Sequence, residues 1–259
     1  MIHRSSWQIQ KSVIFALFLR ELNMRFSSGR MGLFWTFFEP FFQILVFVLI
    51  KVMLFGRVGD EFDFAIFLAL NFTAFNMFKN IVIKATAAFG ANKALFIYKQ
   101  VKPIDTIFAR TLIEVFVTAI IIVIFLCIGF YFEFEMHVKD LTMVVFGFTW
   151  LIVFSLSIGV LMGVLNLFTQ SVGKFVGFSM RILMYTSAVF YTIEMLPIEF
   201  QNFLLYNPLV HFMELIHGSY FFALDDGFVS YYYILLWTII PLYIGLWLYL
   251  KFEERIISS

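Results

Sequence analysis

Six long apolar stretches alternate along the chain with shorter polar segments. Each has about the 20 mostly apolar residues that a helix needs to cross a bilayer. They cover residues 33–55, 63–83, 104–132, 142–168, 171–193 and 231–250. The pattern predicts an all-α membrane protein with six transmembrane helices, and no linker divides the 259 residues into more than one domain.

Two further segments mix apolar and charged residues. Residues 5–30 place apolar side chains at helical spacing with basic and acidic ones between them, which predicts an amphipathic helix in the membrane interface. Residues 85–102 lie between the second and third apolar stretches and combine aromatic residues with lysines. Their pattern fits an interfacial anchor or a short helix that docks onto a cytoplasmic protein, and it leaves both open.

The segment after the fifth stretch is apolar but interrupted by proline. Residues 194–230 contain no Lys or Arg, and Pro197 and Pro208 break them. Non-helical backbone at membrane depth is tolerated only where protein buries it or water reaches it. We therefore expect a re-entrant pair of short helices over residues 194–221.

Composition and charge agree with this topology. The chain is 62% hydrophobic and only 14% charged, so it is more apolar and less charged than a typical soluble domain. Lys and Arg collect in the loops that share a side with both termini, and acids collect in the others, so we expect both termini in the cytoplasm. The single cysteine, Cys127, excludes a disulfide framework.

Candidate chemistry is sparse. The "SVGKF" segment lacks the glycine and hydroxyl of a phosphate-binding loop, so the chain is expected to hydrolyse no ATP itself. His211, Glu214 and His217 are three apart on one side of a predicted helix, which fits a metal site or a polar face. We expect no cofactor, no bound metal and no nucleic-acid partner.

The fifth stretch carries a face of alternating cations and aromatic rings. Lys174, Phe178, Arg181 and Tyr185 are spaced four, three and four residues apart, which places them on one side of a helix. An arginine at the centre of a span costs about 2.5 kcal/mol or more, which favours a water-lined position facing an acidic cargo. Lys174 fits lipid headgroups equally well.

Glu39 is an acid inside the first stretch, beside Pro40. Intramembrane acids normally pair or face water, and Arg30 and Arg110 are the nearest partners by depth. Snorkelling of Glu39 to the interface remains equally open.

Three segments resemble the ABC-2 polysaccharide export permeases, and specifically their capsular (KpsM-like) branch. They are "LFLRELNMRFSSGRMGLFWTFFEP" (17–40), "GANKALFIYKQVKPIDTIFARTLIE" (90–114) and "SAVFYTIEMLPIEFQNFLLYNPLVHFMELIHGSYF" (187–221). The three matches lie in order and agree with the topology read from the apolar pattern.

The resemblance implies a homodimer in the bacterial inner membrane that binds two copies of a cytoplasmic ATPase, which would hold ATP and Mg²⁺. Residues 85–102 would be the coupling helix and 5–30 the interface helix. The expected contacts to the ATPase are Phe89, Asn92, Leu95, Phe96, Tyr98 and Lys99. The expected gate residues are Glu194, Pro197, Glu199, Asn207 and Pro208.

The same resemblance implies a cargo of lipid-linked acidic polysaccharide, handed on to periplasmic and outer-membrane proteins. The expected pathway residues are Lys174, Phe178, Arg181, Tyr185, Phe190, Tyr191, Trp35 and Phe38. The alternatives are an O-antigen or teichoic-acid permease, a secondary transporter, and a membrane-embedded enzyme. A secondary transporter predicts an internal repeat, which the two halves lack.

Overall fold

The computed structural model of the protein describes residues 6–27, 30–55, 63–98, 100–134 and 137–258. All regular secondary structure within these ranges is helical, which confirms the predicted all-α class. The helices are α1 (Ser6–Ser27), α2 (Arg30–Phe55), α3 (Phe64–Thr86), α4 (Ala88–Ala91), α5 (Pro103–Tyr131), α6 (Leu141–Phe168), α7 (Ser171–Thr186), α8 (Ile198–Leu204), α9 (Pro208–Tyr220) and α10 (Tyr231–Ser258).

Several helices begin at side chains that cap their first turn. Asp63 accepts a hydrogen bond from the backbone N–H of Ala65 at 2.8 Å, and Asp140 accepts one from that of Thr142 at 2.9 Å. Such caps satisfy backbone donors that have no partner inside the helix. They fix the start of α3 at Phe64 and that of α6 at Leu141, each within one residue of the start of the predicted span.

Small residues let α6 lie close to its neighbours on two sides. A Cβ on Gly159 would lie 2.6 Å from the Cβ of Ala85 on α3, and one on Gly163 would lie 3.0 Å from the Ala85 carbonyl. On the other side, a Cβ on Gly245 of α10 would lie 2.9 Å from the backbone nitrogen of Leu161 on α6. Close backbone approach through small residues is how helices associate in membranes, where apolar side chains gain little by leaving lipid. The α3–α6–α10 stack is therefore the centre of the molecule.

The predicted count of six spans is not confirmed. Among the residues that the structure describes, four helices are long and apolar enough to cross a membrane: α3, α5, α6 and α10. The predicted fifth span ends early, because α7 stops at Thr186 after 16 residues. At 1.5 Å per residue it is about 24 Å long, which is short of the hydrocarbon thickness. The 26-residue α2 is not among the four.

The segment at 85–102 is not a single helix, contrary to the prediction. Helix α3 continues to Thr86, α4 is one turn long, and a 3₁₀ turn follows at Lys93–Leu95. We call residues 87–102 the α3–α5 connection. The predicted interface helix at 5–30 corresponds to α1, and its residues 5, 28 and 29 lie outside the described residues.

The two short helices predicted within 194–221 are present. A 3₁₀ turn at Ile193–Met195 leads to α8, and a break at Asn207 separates α8 from α9. Their environments differ, because α8 exposes most of its side chains whereas every residue from Leu209 to Tyr220 is buried. Helix α9 packs against α3, α6 and α10, so it belongs to the core of the protomer.

Candidate transport site and partner-binding loop

Helix α1 is held against α5 by paired polar side chains. Glu21 Oε1 lies 2.7 Å from Arg110 Nε, and Arg25 Nη1 donates to Glu114 Oε1 at 2.7 Å. The Arg25–Glu114 contact is a hydrogen bond between charged groups, a kind roughly twice as strong as a neutral one, and the Glu21–Arg110 contact is an ion pair. These pairs therefore fix the position of α1 on α5.

The observed pairing of Arg110 corrects one expectation about Glu39. Arg110 binds Glu21 and donates to the Lys84 carbonyl at 2.9 Å, so it is not the partner of Glu39. The Glu39 carboxylate instead lies 4.0 Å from Lys79 Nζ, with 61% of its side chain exposed. The side chain of Arg30, the other expected partner, lies outside the described residues.

The α3–α5 connection is tied to the protomer by three of its expected partner-binding residues. The Asn92 amide donates to the Ala88 carbonyl at 2.9 Å, and its oxygen accepts a hydrogen bond from Arg20 of α1. Phe89 and Phe96 are 1% and 5% exposed, in a second core cluster that includes Tyr249 of α10. These two rings pack inside the chain and so are not available to a partner's pocket.

The exposed large apolar side chains of the connection lie near its end. Ile97 is 82% exposed and Tyr98 is 65% exposed, while Leu95 is half-buried. Lys99 lies outside the described residues. The Arg20–Asn92 hydrogen bond joins α1 to the connection.

The predicted face of α7 exists as a geometrical feature. Lys174, Phe178, Arg181 and Tyr185 are all exposed on the protomer, while Val176 and Met180 are buried on the opposite side. Neither cation forms an ion pair with any other side chain in the described parts of the chain. Its role in a cargo pathway stays a prediction.

Aromatic rings connect the C-terminal end of α7 to α2. Tyr185 stacks on Phe190 at 5.6 Å between ring centroids, and Phe190 contacts Phe47 of α2 at 4.5 Å. The Tyr191 hydroxyl donates to the Tyr185 carbonyl at 3.0 Å. Phe190 and Tyr191 thus pack the turn that follows α7.

The other two expected pathway residues lie on α2. Trp35 is 55% exposed and meets Phe38 edge-on at 5.6 Å, and Phe38 stacks on Phe34 and Phe42. This row gives α2 an aromatic face.

The gate residues fall into two groups. Glu194, Pro197 and Glu199 are exposed, whereas Asn207 and Pro208 are half-buried. Asn207 accepts from the backbone N–H of Leu209 at 3.1 Å, and Pro208 starts α9, where a missing N–H costs nothing.

The residues considered for a metal site have other partners. Both ring nitrogens of His211 lie within 3.0 Å of backbone carbonyls, those of Leu205 and Phe228. His217 contacts Asn71 and Glu214, and Glu214 accepts from the Ile193 N–H at 2.9 Å. They lie on a buried helix rather than on an exposed polar face. Within the described parts of the chain, no three His, Cys, Asp or Glu residues form a metal-binding group.

One polar face was missed by the sequence analysis. Thr73, Asn76, Asn80 and Lys84 of α3 are three or four residues apart, and they line a cavity together with Lys79 and Glu114. Their helical spacing inside an apolar span is the signal that could have found them, since such a stripe faces protein or water rather than lipid.

Four helices that are long and apolar enough to cross a membrane, within the described residues, define the class of membrane proteins. The family model described as ABC-2 type transporter matches residues 12–221. The polysialic acid transport protein KpsM of Escherichia coli is 31% identical over 260 residues, covering 99% of this chain and 99% of its own. The chain therefore belongs to the ABC-2 type transporter family.

Two further relatives have related descriptions. The capsule polysaccharide export inner-membrane protein CtrC of Neisseria meningitidis is 26% identical, over 98% of each chain. The capsule polysaccharide export inner-membrane protein BexB of Haemophilus influenzae is 27% identical, over 88% of this chain and 85% of its own.

Proposed function

We propose that this protein is the membrane permease subunit of an exporter that moves lipid-linked acidic capsular polysaccharide from the cytoplasm to the periplasm. The observation that carries the proposal is the match over nearly the whole chain to KpsM and CtrC, a polysialic acid transporter and a capsule exporter. The protein is a non-catalytic inner-membrane subunit, and a separate cytoplasmic ATPase supplies the energy.

The exposed end of the α3–α5 connection supports a binding site for that ATPase. Ile97 and Tyr98 project from a loop whose other aromatic residues are buried, and exposed aromatic residues commonly anchor protein interfaces. With both termini in the cytoplasm, α1 and this loop face the same side of the membrane. Two protomers and two ATPase subunits form the exporter.

The exposed face of α7 supports a route for an acidic glycan. Lys174 and Arg181 supply fixed positive charge, while Phe178 and Tyr185 offer flat surfaces to the apolar faces of sugar rings. An arginine left towards lipid would be costly, so this face is expected to line water in the dimer. Helices α8 and α9 close the periplasmic end, where export proteins of the envelope receive the cargo.

The test is deletion of the gene in its own host, followed by complementation. Loss of surface capsule, with glycan accumulating in the cytoplasm and lipopolysaccharide unchanged, is the expected result. Intact capsule with loss of the O-antigen ladder would replace this proposal with O-antigen export. Co-purification of the permease with an ATPase, and ATP hydrolysis only by the complex, would establish the division of labour.

A further inference from the structure

A polar cavity of about 300 Å³ lies among α1, α2, α3 and α5. Along α3 it extends from Lys84, near the end that leads into the α3–α5 connection, to Thr73. These positions are eleven residues apart, or about 16 Å along the helix. Polar side chains within an apolar span are costly unless they meet water, protein or a ligand, so this cavity calls for a polar occupant.

One end of the cavity holds a buried carboxylate between two cations. Glu114 is 1% exposed, and its Oε1 accepts from Arg25 at 2.7 Å and also from Lys84. A carboxylate in this position satisfies both cations in the absence of any other anion. It also occupies the point to which an anionic ligand would be attracted.

The wall of the cavity holds a third cation. Lys79 donates to Asn76 Oδ1 at 2.7 Å and is 4.0 Å from the largely exposed Glu39, a distance too long for a hydrogen bond. Among the described residues that line the cavity, the cations Arg25, Lys79 and Lys84 outnumber the carboxylates Glu39 and Glu114. The amide groups of Asn76 and Asn80 add neutral donors beside Lys79.

The mouth of the cavity is formed by α2. Trp35 lines it with more than half of its side chain exposed, and Glu39 lies one turn further along the same helix. Tryptophan is enriched where headgroups meet the hydrocarbon region, because its ring is apolar and its N–H is polar. A group arriving from the level of the headgroups would pass this residue first.

We propose that this cavity is a binding site for a phosphate group on a membrane lipid, with Lys79 and Lys84 as its cationic ligands. Glu114 acts as an internal anion that competes with the phosphate for Lys84. The site goes beyond the proposed function, because it requires only a phosphate-bearing lipid and makes no reference to the glycan that is exported.

The competition predicts effects of opposite sign. Lys79→Gln or Lys84→Gln should lower the retention of an anionic phospholipid by about tenfold, the scale of one hydrogen bond to a charged group. Glu114→Gln should raise retention, because the competing carboxylate is lost while the side-chain volume is kept. If these three residues had purely structural roles, each of the three substitutions would lower lipid retention or leave it unchanged, and Glu114→Gln would not raise it.

The experiment uses the purified full-length protein in nanodiscs. Phosphatidylglycerol or the phosphate-free lipid monogalactosyldiacylglycerol is supplied, excess lipid is removed by detergent, and the retained lipid is counted by native mass spectrometry. Lys251→Gln is the matched control, since this exposed lysine lies near the end of α10 and outside the cavity. Preferential retention of phosphatidylglycerol by the wild type and Lys251→Gln, with loss in Lys79→Gln, is the expected result.

Equal retention of the two lipids by the wild type would overturn the proposal, as would wild-type retention by Lys79→Gln. If Glu114→Gln fails to fold, the two lysine variants still decide the outcome. Adding millimolar inorganic phosphate separates the sources of the ligand. Release of phosphatidylglycerol would show that a free phosphate group suffices, whereas retention would show that the phosphate must be attached to lipid, and both results support a phosphate site. Because no export is measured, failure here leaves the export proposal untouched.

Discussion

The side-chain amide of Asn207 donates to the backbone carbonyl of Thr186 at 3.0 Å and to the hydroxyl of Ser187 at 2.9 Å. Its oxygen at the same time caps α9 through the N–H of Leu209. One residue thus binds the last carbonyl of α7 and one of the first backbone donors of α9. The helix that carries the exposed cationic face, α7, and the buried helix α9 are joined at this point.

Asn207 therefore offers a way to separate its two roles. Asn207→Asp keeps the oxygen that caps α9 and loses the amide that binds α7, whereas Asn207→Ala loses both. Loss of an N-cap costs about 1 kcal/mol, so the alanine variant should have the lower melting temperature in detergent. Asn202→Ala, on the exposed side of α8, is the control and should melt as the wild type does. Equal melting of all four proteins would remove Asn207 as the link.

Arg181 tests the cargo pathway. Arg181→Ala should abolish surface polysaccharide while membrane insertion and ATPase binding persist, because the Arg181 side chain is exposed on the protomer. Arg181→Lys should retain part of the export, since it keeps the charge but loses the planar guanidinium donors. Flow cytometry of capsule, with immunoblots of the membrane fraction, measures both. Wild-type export from the alanine variant would contradict a charged route along α7.

Tyr98 and Phe96 should respond differently to truncation. Tyr98→Ala removes an exposed ring and should weaken assembly with the ATPase by about 2 kcal/mol, without lowering the melting temperature of the isolated permease. Phe96→Ala empties a buried position and should destabilise the permease by about 3 kcal/mol or more. Pull-down of the ATPase and thermal melting give the two readouts. A stable complex with Tyr98→Ala would place the partner-binding surface elsewhere.

Glycines on α6 and α7 form a matched pair for testing the helix stack. Gly159→Ala would place a methyl group 2.6 Å from that of Ala85, so it should destabilise the protein by about 1–3 kcal/mol. Gly177→Ala adds the same methyl group to a helix interior where nothing lies within 4 Å, and it should be neutral or stabilising by up to about 1 kcal/mol. If the two variants melt at the same temperature, α3 and α6 do not approach as closely as described.

Accessibility of α8 tests the orientation of the chain. In a protein whose exposed Cys127 has been replaced by Ser, Glu199→Cys should react with a membrane-impermeant thiol reagent added from the periplasmic side. Glu199 is exposed on the protomer, so lack of access within the fold does not limit the reaction. Labelling only after the inner membrane is opened would reverse the proposed topology.

Local patterns along the sequence were sufficient for much of the fold. Runs of apolar residues marked α3, α5, α6 and α10, because span length and hydrophobicity are properties of consecutive residues. The face of Lys174, Phe178, Arg181 and Tyr185 followed from helical spacing alone, and the two prolines marked the breaks around α8 and α9. Three short motifs were enough to indicate the family.

Tertiary structure alone decided which residues meet across the chain. Arg25 and Glu114 are 89 positions apart, so no local pattern could pair them, and Arg110 bound Glu21 rather than Glu39 because α1 lies on α5. Phe96 and Tyr98 are equally aromatic, yet only the former turns into the core formed with α10. The length of α7 was decided in the same way. An apolar run predicts that its side chains are buried, but it does not distinguish burial in lipid from burial in protein. In this protein the helix ends at Thr186, and contacts with the rest of the chain take the place of the further helical turns that a span would need.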